Sequence, residues 1–301
     1  MNDSGTNSSN CRFPDFVCIG AQKAGTTWLH QKLARHPDVW LPALKEVHYF
    51  DAVHLDDSFG ANLDAARRDA AIRSIQSTLK GNLTDAQKLL RIRSIASIGM
   101  RELSDAWYGA IFHEAPAQAV CGEITPEYAM LPPEGIEHMV RLRPGIKVIF
   151  IMRDPIDRAW SALRMMKKRV GSEGSLPARD RPHGRKFLER ADYAATIERF
   201  QRQISKTNFL ELYFDDLVER PEALLRQVCA FLGVDFAAGK FKRLDKRIHR
   251  GEPAVMEPET YNRLRQELAP AYDRLLNLKN PLFESWHSRH YGEQPAASHI
   301  G

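Results

Sequence analysis

Long apolar runs are missing from this 301-residue chain. None approaches the ~18 residues that a membrane-spanning helix requires, so no stable membrane insertion is expected. Paired cysteines are missing as well. The four present (Cys11, Cys18, Cys121 and Cys229) lack zinc-ligand or C-x-x-C spacing, which excludes the common structural zinc and dithiol sites. Cys18 and Cys121 sit in apolar, strand-like stretches and Cys229 in a helical pattern, so they read as buried, reduced thiols. Residues 1–10 have no basic start followed by an apolar core. They read as a disordered lead rather than a secretory signal. A strong charge imbalance is absent too. A net charge of +5 suits an anionic small ligand without demanding nucleic acid. No internal repeat or low-complexity linker divides the chain, so a single domain over residues 14–292 is expected, with a lead over 1–13 and a tail over 293–301.

What is present is a sharp pattern near the start: Phe16-Val-Cys-Ile-Gly-Ala-Gln-Lys-Ala-Gly-Thr-Thr-Trp-Leu29. It predicts a buried strand, a glycine-bearing turn and the start of a helix. Amides at a helix start point outward, and the helix dipole favours an anion there. Lys23 adds a full charge, and Thr26 and Thr27 add hydroxyls. The ATP-type loop G-x-x-x-x-G-K-[ST] keeps its lysine after the last glycine, reaching the β/γ-phosphates, with the next hydroxyl on Mg²⁺. Here Gly20, Gly25 and Thr26 keep the spacing, but the lysine lies inside the loop. That placement argues for a shorter anionic group without a metal. The bland alternative is a plain strand–turn–helix junction with an exposed lysine.

The same alternation continues along the chain. Strands are predicted over 16–19, 39–41, 119–122, 146–152 and 209–214. Helices are predicted over 26–35, 187–204 and 222–232, the last ended by Gly233. Residues 60–118 read as mostly helical, forming an insert over about 55–118. Asp154 reads as an N-cap with Pro155 at the first helical position. Strands alternating with helices imply an α/β fold of the P-loop type, three layers with a central, mainly parallel sheet. Ligands in such sheets bind beyond the carboxyl ends of the strands. Lys23, Glu46 and Arg153 each follow an apolar strand-like run, so one cleft is expected to collect them.

The loop resembles the 5′-phosphosulfate loop of sulfotransferases that use 3′-phosphoadenosine 5′-phosphosulfate (PAPS). Three further segments match that family in the expected order. Lys45-Glu-Val-His-Tyr-Phe-Asp51 resembles the Lys-Glu-x-His-Phe-Phe-Asp motif of the heparan-sulfate branch. Gly122-Glu-Ile-Thr-Pro-Glu-Tyr128 is similar to its Glu-Lys-Thr-Pro-x-Tyr segment. Val148-Ile-Phe-Ile-Met-Arg-Asp-Pro155, followed by Arg158-Ala-Trp-Ser161, resembles the strand and helix that bind the 3′-phosphate. Trp107-Tyr108 and Phe112 look like the aromatic element that precedes the third strand.

The resemblance implies sulfuryl transfer from PAPS to a hydroxyl or amino group, with adenosine 3′,5′-bisphosphate as product and no metal. It implies that Gln22, Lys23, Ala24, Gly25, Thr26, Thr27 and Trp28 hold the 5′ end of the donor, with Lys23 as the leaving-group cation. Glu46 is the implied general base. The alternative is a surface pair of Glu46 with Lys45. His48 is expected to share a side with Glu46 if the segment is extended, with Asp51 fixing its tautomer. Arg153 and Ser161 are assigned to the 3′-phosphate, against an internal ion pair of Arg153 with Asp154 or Asp157 and a packing role for Ser161. Arg250 and Gly251 are the candidates for closing over the donor, although the heparan enzymes' Lys-Gly-Arg pattern is absent and a solvated basic helix end competes. The stretch 164–190 carries nine Lys/Arg against three Asp/Glu and reads as a solvated loop, with an anionic acceptor as the alternative. The animal enzymes of this branch carry a membrane anchor, so a soluble, bacterial, cytoplasmic member is expected here. Its acceptor would be a glycan, lipid or small molecule. A nucleotide kinase or nucleotide-binding module using Mg-ATP is the competing function.

Overall fold

The computed structural model describes residues 11–55, 57–170, 185–239, 241, 244 and 255–292. The chain runs β1 (Phe16–Gly20), α1 (Thr26–Leu33), β2 (Val39–Trp40), α2 (Phe50–His54), α3 (Asp57–Lys80), α4 (Asp85–Gly99), α5 (Asp105–His113) and β3 (Val120–Ile124). It continues through a 3₁₀ turn (Pro126–Met130) to α6 (Pro133–Leu142), β4 (Lys147–Met152), α7 (Pro155–Val170), α8 (Arg185–Glu189) and α9 (Tyr193–Gln201). β5 (Phe209–Tyr213), α10 (Phe214–Glu219), α11 (Pro221–Leu232), α12 (Pro258–Leu276) and α13 (Pro281–Tyr291) complete it.

The sheet has the order β2-β3-β1-β4-β5. β1 runs parallel to both β3 and β4, and β2 parallel to β3. All five residues of β1 are buried, as are the last five of β4. Strands buried on both faces belong to a parallel sheet covered by helices, and the apolar runs in the sequence have that origin. Gly122 on β3 is required by this packing. A Cβ there would lie 2.4 Å from the Phe16 ring of β1. The expected α/β architecture and the helical insert, α3 to α5, are both present.

Most predicted strands and the 222–232 helix differ by one or two residues at an end, and two predicted helices differ in a way with a local cause. The helix expected over 187–204 is two helices, α8 and α9. The first ends at Glu189, and Asp192 then accepts a hydrogen bond from the amide of Ala195 (3.2 Å), starting α9 as a cap does. α1 stops at Leu33, two residues early, where the amide of Arg35 bonds back to the Lys32 carbonyl in a tight turn.

The structure divides into two compact units. The first draws on Met1–Ile151 and Arg199–His249, the second on Met152–Glu198 and Arg250–Gly301. The first holds β1, α1 and the helical insert, in which α3 and α4 pack together. In the second, α12 packs on α7 and on α13. The predicted donor-closing residues Arg250 and Gly251, the lead over 1–10, the tail over 293–301 and the basic stretch over 171–184 lie outside the described residues.

Candidate active site

The turn after β1 is built to present amides. Gly25 caps α1 in the left-handed region (φ 93°), and Lys23 shares that region (φ 72°). A side chain at Gly25 would lie 2.5 Å from Leu217 Cδ1, so α10 also requires glycine there. Among the described residues, nothing bonds the amides of Gly25, Thr26 or Thr27. They are the orphan donors that every helix start leaves, here following a left-handed turn of the kind that forms anion cradles. The amides of Ala24 and Trp28 are otherwise engaged, bonding the carbonyls of Ala21 (3.1 Å) and Gly25 (2.9 Å). The Trp28 ring lies in the core, with Lys32 Nζ 5.6 Å from its centroid. The backbone amides of these two predicted donor contacts are therefore already satisfied within the loop.

The segment 45–51 forms the second part. Lys45 Nζ pairs with one Glu46 oxygen, and His48 Nε2 lies 3.4 Å from the other. Asp51 Oδ2 lies 2.6 Å from His48 Nδ1 and is fully buried. Glu46, which keeps 39% of its side chain accessible, is thus flanked by two cationic groups. The geometry corrects the extended-backbone expectation. Glu46 (φ 66°) and His48 (φ 56°) both adopt left-handed backbone, and their side chains meet by that route. Of the four described non-glycine residues with positive φ, three are Lys23, Glu46 and His48. Such conformations cost on the order of 1–3 kcal/mol each and persist where the surroundings over-determine them.

The charges interlock. Burial opposes ionisation of Glu46, but hydrogen bonding to His48 and the charge of Lys45 win and hold its pKa well below the carboxylate range. Burial likewise disfavours charge on His48, and the Asp51 and Glu46 carboxylates outweigh it, holding that pKa well above the imidazole value. The cationic form of His48 is thereby favoured, with Asp51 beside it as counter-ion. His30 on α1 stands in the opposite state. Burial, reinforced by Lys45, pushes its pKa down to about 4, so it is neutral.

The segment stays in place because β3 holds it from below. Buried Glu123, opposite Val17 of β1, accepts hydrogen bonds from the hydroxyls of Tyr108 (2.6 Å), Thr125 (2.7 Å) and Tyr128 (2.8 Å). Two of those hydroxyls also accept from the segment. Thr125 Oγ1 takes the amide of Val47 (3.1 Å) and Tyr128 Oη that of Tyr49 (3.1 Å). The amides on either side of His48 are thus fixed through one carboxylate. Thr125 in turn donates its own amide to the Cys18 carbonyl of β1 (3.0 Å), which ties the segment to the strand that leads into the Lys23–Gly25 turn. The Tyr49 ring stacks on Tyr108 with centroids 4.6 Å apart, and Phe50 meets Tyr128 edge-on. Sequence reading gave Glu123, Tyr128 and Tyr108 no role. Their signal was a Glu-x-Thr-x-x-Tyr spacing, which becomes meaningful only once the strand and the 3₁₀ turn bring the three polar groups together.

Arg153 and Ser161 belong to the second unit. Arg153 leaves β4, and its carbonyl accepts from the Tyr193 hydroxyl (2.7 Å). Ser161 is half-buried on α7. Asp154 caps α7 as expected, accepting from the amides of Ile156 (3.0 Å) and Asp157 (3.1 Å). Its other oxygen lies 3.0 Å from His290, and Arg289 lies 3.6 Å from Asp157. No group of three or more His, Cys, Asp or Glu among the described residues forms a metal site. No described helix is long and apolar enough to cross a membrane. The thiols of Cys18, Cys121 and Cys229 are buried and unpaired with one another, and burial raises the Cys18 pKa to about 12.

A family model described as "Sulfotransferase family" matches residues 14–238. A crystal structure of a sulfotransferase from Alicyclobacillus acidocaldarius is similar to this chain at 23% identity and TM-score 0.62, covering 90% of this chain and 98% of that one. The sulfotransferase domain from the curacin biosynthetic pathway is similar at 23% identity and TM-score 0.50, covering 94% and 100%. No curated protein sequence matches.

Proposed function

The chain belongs to the sulfotransferase family, and from that premise we propose that it transfers a sulfuryl group from PAPS to an acceptor hydroxyl or amine, with Glu46 as the general base. The observation that carries the reading is the placement of strained backbone. Lys23, Glu46 and His48, assigned independently from their motifs, are three of the four described non-glycine residues with positive φ. Stability alone gives no reason to keep long side chains there, whereas a site that needs those groups does.

In this reading the orphan amides of Gly25, Thr26 and Thr27 hold the 5′-phosphate of the donor, and Lys23 neutralises charge on the leaving oxygen. The acceptor oxygen forms a new bond to sulfur as the bond from sulfur to the bridging oxygen breaks. Adenosine 3′,5′-bisphosphate departs, and the acceptor proton goes to Glu46. The flanking Lys45 and His48 keep Glu46 in the ionised form that a base requires while lowering its basicity, and they favour an approaching acceptor that carries negative charge. Arg153 and Ser161 are assigned to the 3′-phosphate, since an arginine's planar fork suits a phosphate. Positioned cations and amides supply the electrostatic stabilisation. The acceptor belongs to the glycan, lipid or small-molecule class, and a cytoplasmic bacterial setting fits the expectation from sequence.

The kinase alternative is disfavoured by the family match and by the lysine lying before Gly25. Thermal denaturation with added ligand separates the two. Adenosine 3′,5′-bisphosphate should raise the melting temperature without Mg²⁺, and a preference for Mg-ATP would sink the reading. Labelled PAPS with a panel of acceptors then identifies the substrate.

A further inference from the structure

The α12–α13 pair lies beyond the residues matched to the family, and no motif in the sequence pointed to a role for it. Its best-connected side chains converge on one buried carboxylate. Asp154 is 1% exposed. Its Oδ1 caps α7 and also accepts from the hydroxyl of Tyr272 on α12 (2.8 Å). The same hydroxyl lies 3.3 Å from the Ile156 amide. Its Oδ2 lies 3.0 Å from Nε2 of His290 on α13, and Nδ1 of that ring lies 3.1 Å from the hydroxyl of Tyr261 on α12. Arg289 Nη1 stands 3.8 Å away.

A helix cap needs only its own amide contacts. Here both oxygens are also bonded by side chains from two later helices. The preceding residue is pinned as well, because the Arg153 carbonyl accepts from Tyr193 (2.7 Å). The peptide bearing Arg153 is therefore held on its carbonyl side by Tyr193 and on its C-terminal side by Asp154. Binding groups need this kind of support, since small displacements cost affinity steeply.

We propose that Tyr272 and His290 are positioning residues, which hold the Arg153–Asp154 peptide so that Arg153 meets the 3′-phosphate of the donor. The proposal rests on the assignment of Arg153 to that phosphate. It gives the C-terminal helices a part in donor selectivity, acting through Asp154 without touching the ligand.

The test compares affinity for adenosine 3′,5′-bisphosphate with affinity for adenosine 5′-phosphate, which lacks the 3′-phosphate, by calorimetry. The ratio reports the 3′-phosphate contact alone. Arg153→Ala should abolish the preference. Tyr272→Phe and His290→Asn, mild changes that keep the ring or an amide donor, should each cut it about threefold and together about tenfold. Arg226→Ala serves as control. It breaks the exposed Arg226–Glu222 pair (2.7 Å) on α11 and should leave the ratio unchanged. If Arg153→Ala abolishes the preference while Tyr272→Phe and His290→Asn only lower the melting temperature, the clamp is refuted and the Arg153 assignment stands. If Arg153→Ala leaves the preference intact, the assignment fails, and the clamp falls with it.

Discussion

Replacing Tyr128 with phenylalanine removes one oxygen that does two jobs. It donates to buried Glu123 (2.8 Å) and accepts the Tyr49 amide (3.1 Å) beside His48. A hydrogen bond to a charged group contributes about 1.5–3 kcal/mol, and a buried donor left unsatisfied costs about 1–3 kcal/mol. The ring itself is retained, so no cavity forms. The sum, ~2.5–6 kcal/mol, is a large share of the stability of a typical domain. The penalty should also depend on pH. Burial raises the Glu123 pKa, against the lowering effect of its three hydroxyl donors. Unfolding therefore releases a proton wherever the pH lies between the unfolded and folded values, and the fold gains stability as the pH falls through that window. Losing the Tyr128 donor raises the folded value further. The stability lost in Tyr128→Phe should be greatest above that raised pKa and should shrink as the pH falls through it. Urea titrations of both proteins at neutral and mildly acidic pH measure this directly. A penalty below about 1 kcal/mol, or one identical at both pH values, would refute the role given to Glu123.

Three further outcomes are expected. Glu46→Gln should bind adenosine 3′,5′-bisphosphate normally while losing turnover by about 10²–10⁴-fold, and single-turnover rates with labelled PAPS check it. Lys45→Met removes a charge that depresses the Glu46 pKa. The acidic limb of the kcat/KM profile, where Glu46 takes up its proton, should therefore move to higher pH, and an unmoved limb would show that another group is the base. Gly25→Ala meets both positive φ and Leu217 Cδ1 at 2.5 Å, so it should cost about 1–3 kcal/mol and weaken donor binding; calorimetry reads both.

The parts legible in the sequence were those written in contiguous residues. β1 and β4 are buried on both faces, so their apolar runs announced a parallel sheet. Gly25 and Lys23 lie on one turn, so the strand–turn–helix junction was visible as a string of letters. Lys45, Glu46, His48 and Asp51 lie within one segment, and they do meet. The means of meeting was hidden, because alternation along an extended strand was the only rule the spacing offered and the backbone is left-handed instead. Glu123 was opaque for a different reason. A carboxylate in an apolar strand is readable as buried only when its partners are known, and Tyr108 comes from a helix 15 residues earlier. The clamp on Asp154 spans 118 and 136 residues, to Tyr272 and His290, and no local pattern encodes that separation.

The left-handed backbone at Lys23, Glu46 and His48 sets thermal endurance against the proposed chemistry at three positions. Glycine or asparagine would relax each of them, since both enter that region more readily than lysine, glutamate or histidine. A laboratory selection that rewarded only survival of heating would be drawn toward those replacements and, on the roles proposed for these side chains, would yield a sturdier, silent protein. Any programme to harden this enzyme therefore has to hold these three codons fixed and look for its gains elsewhere.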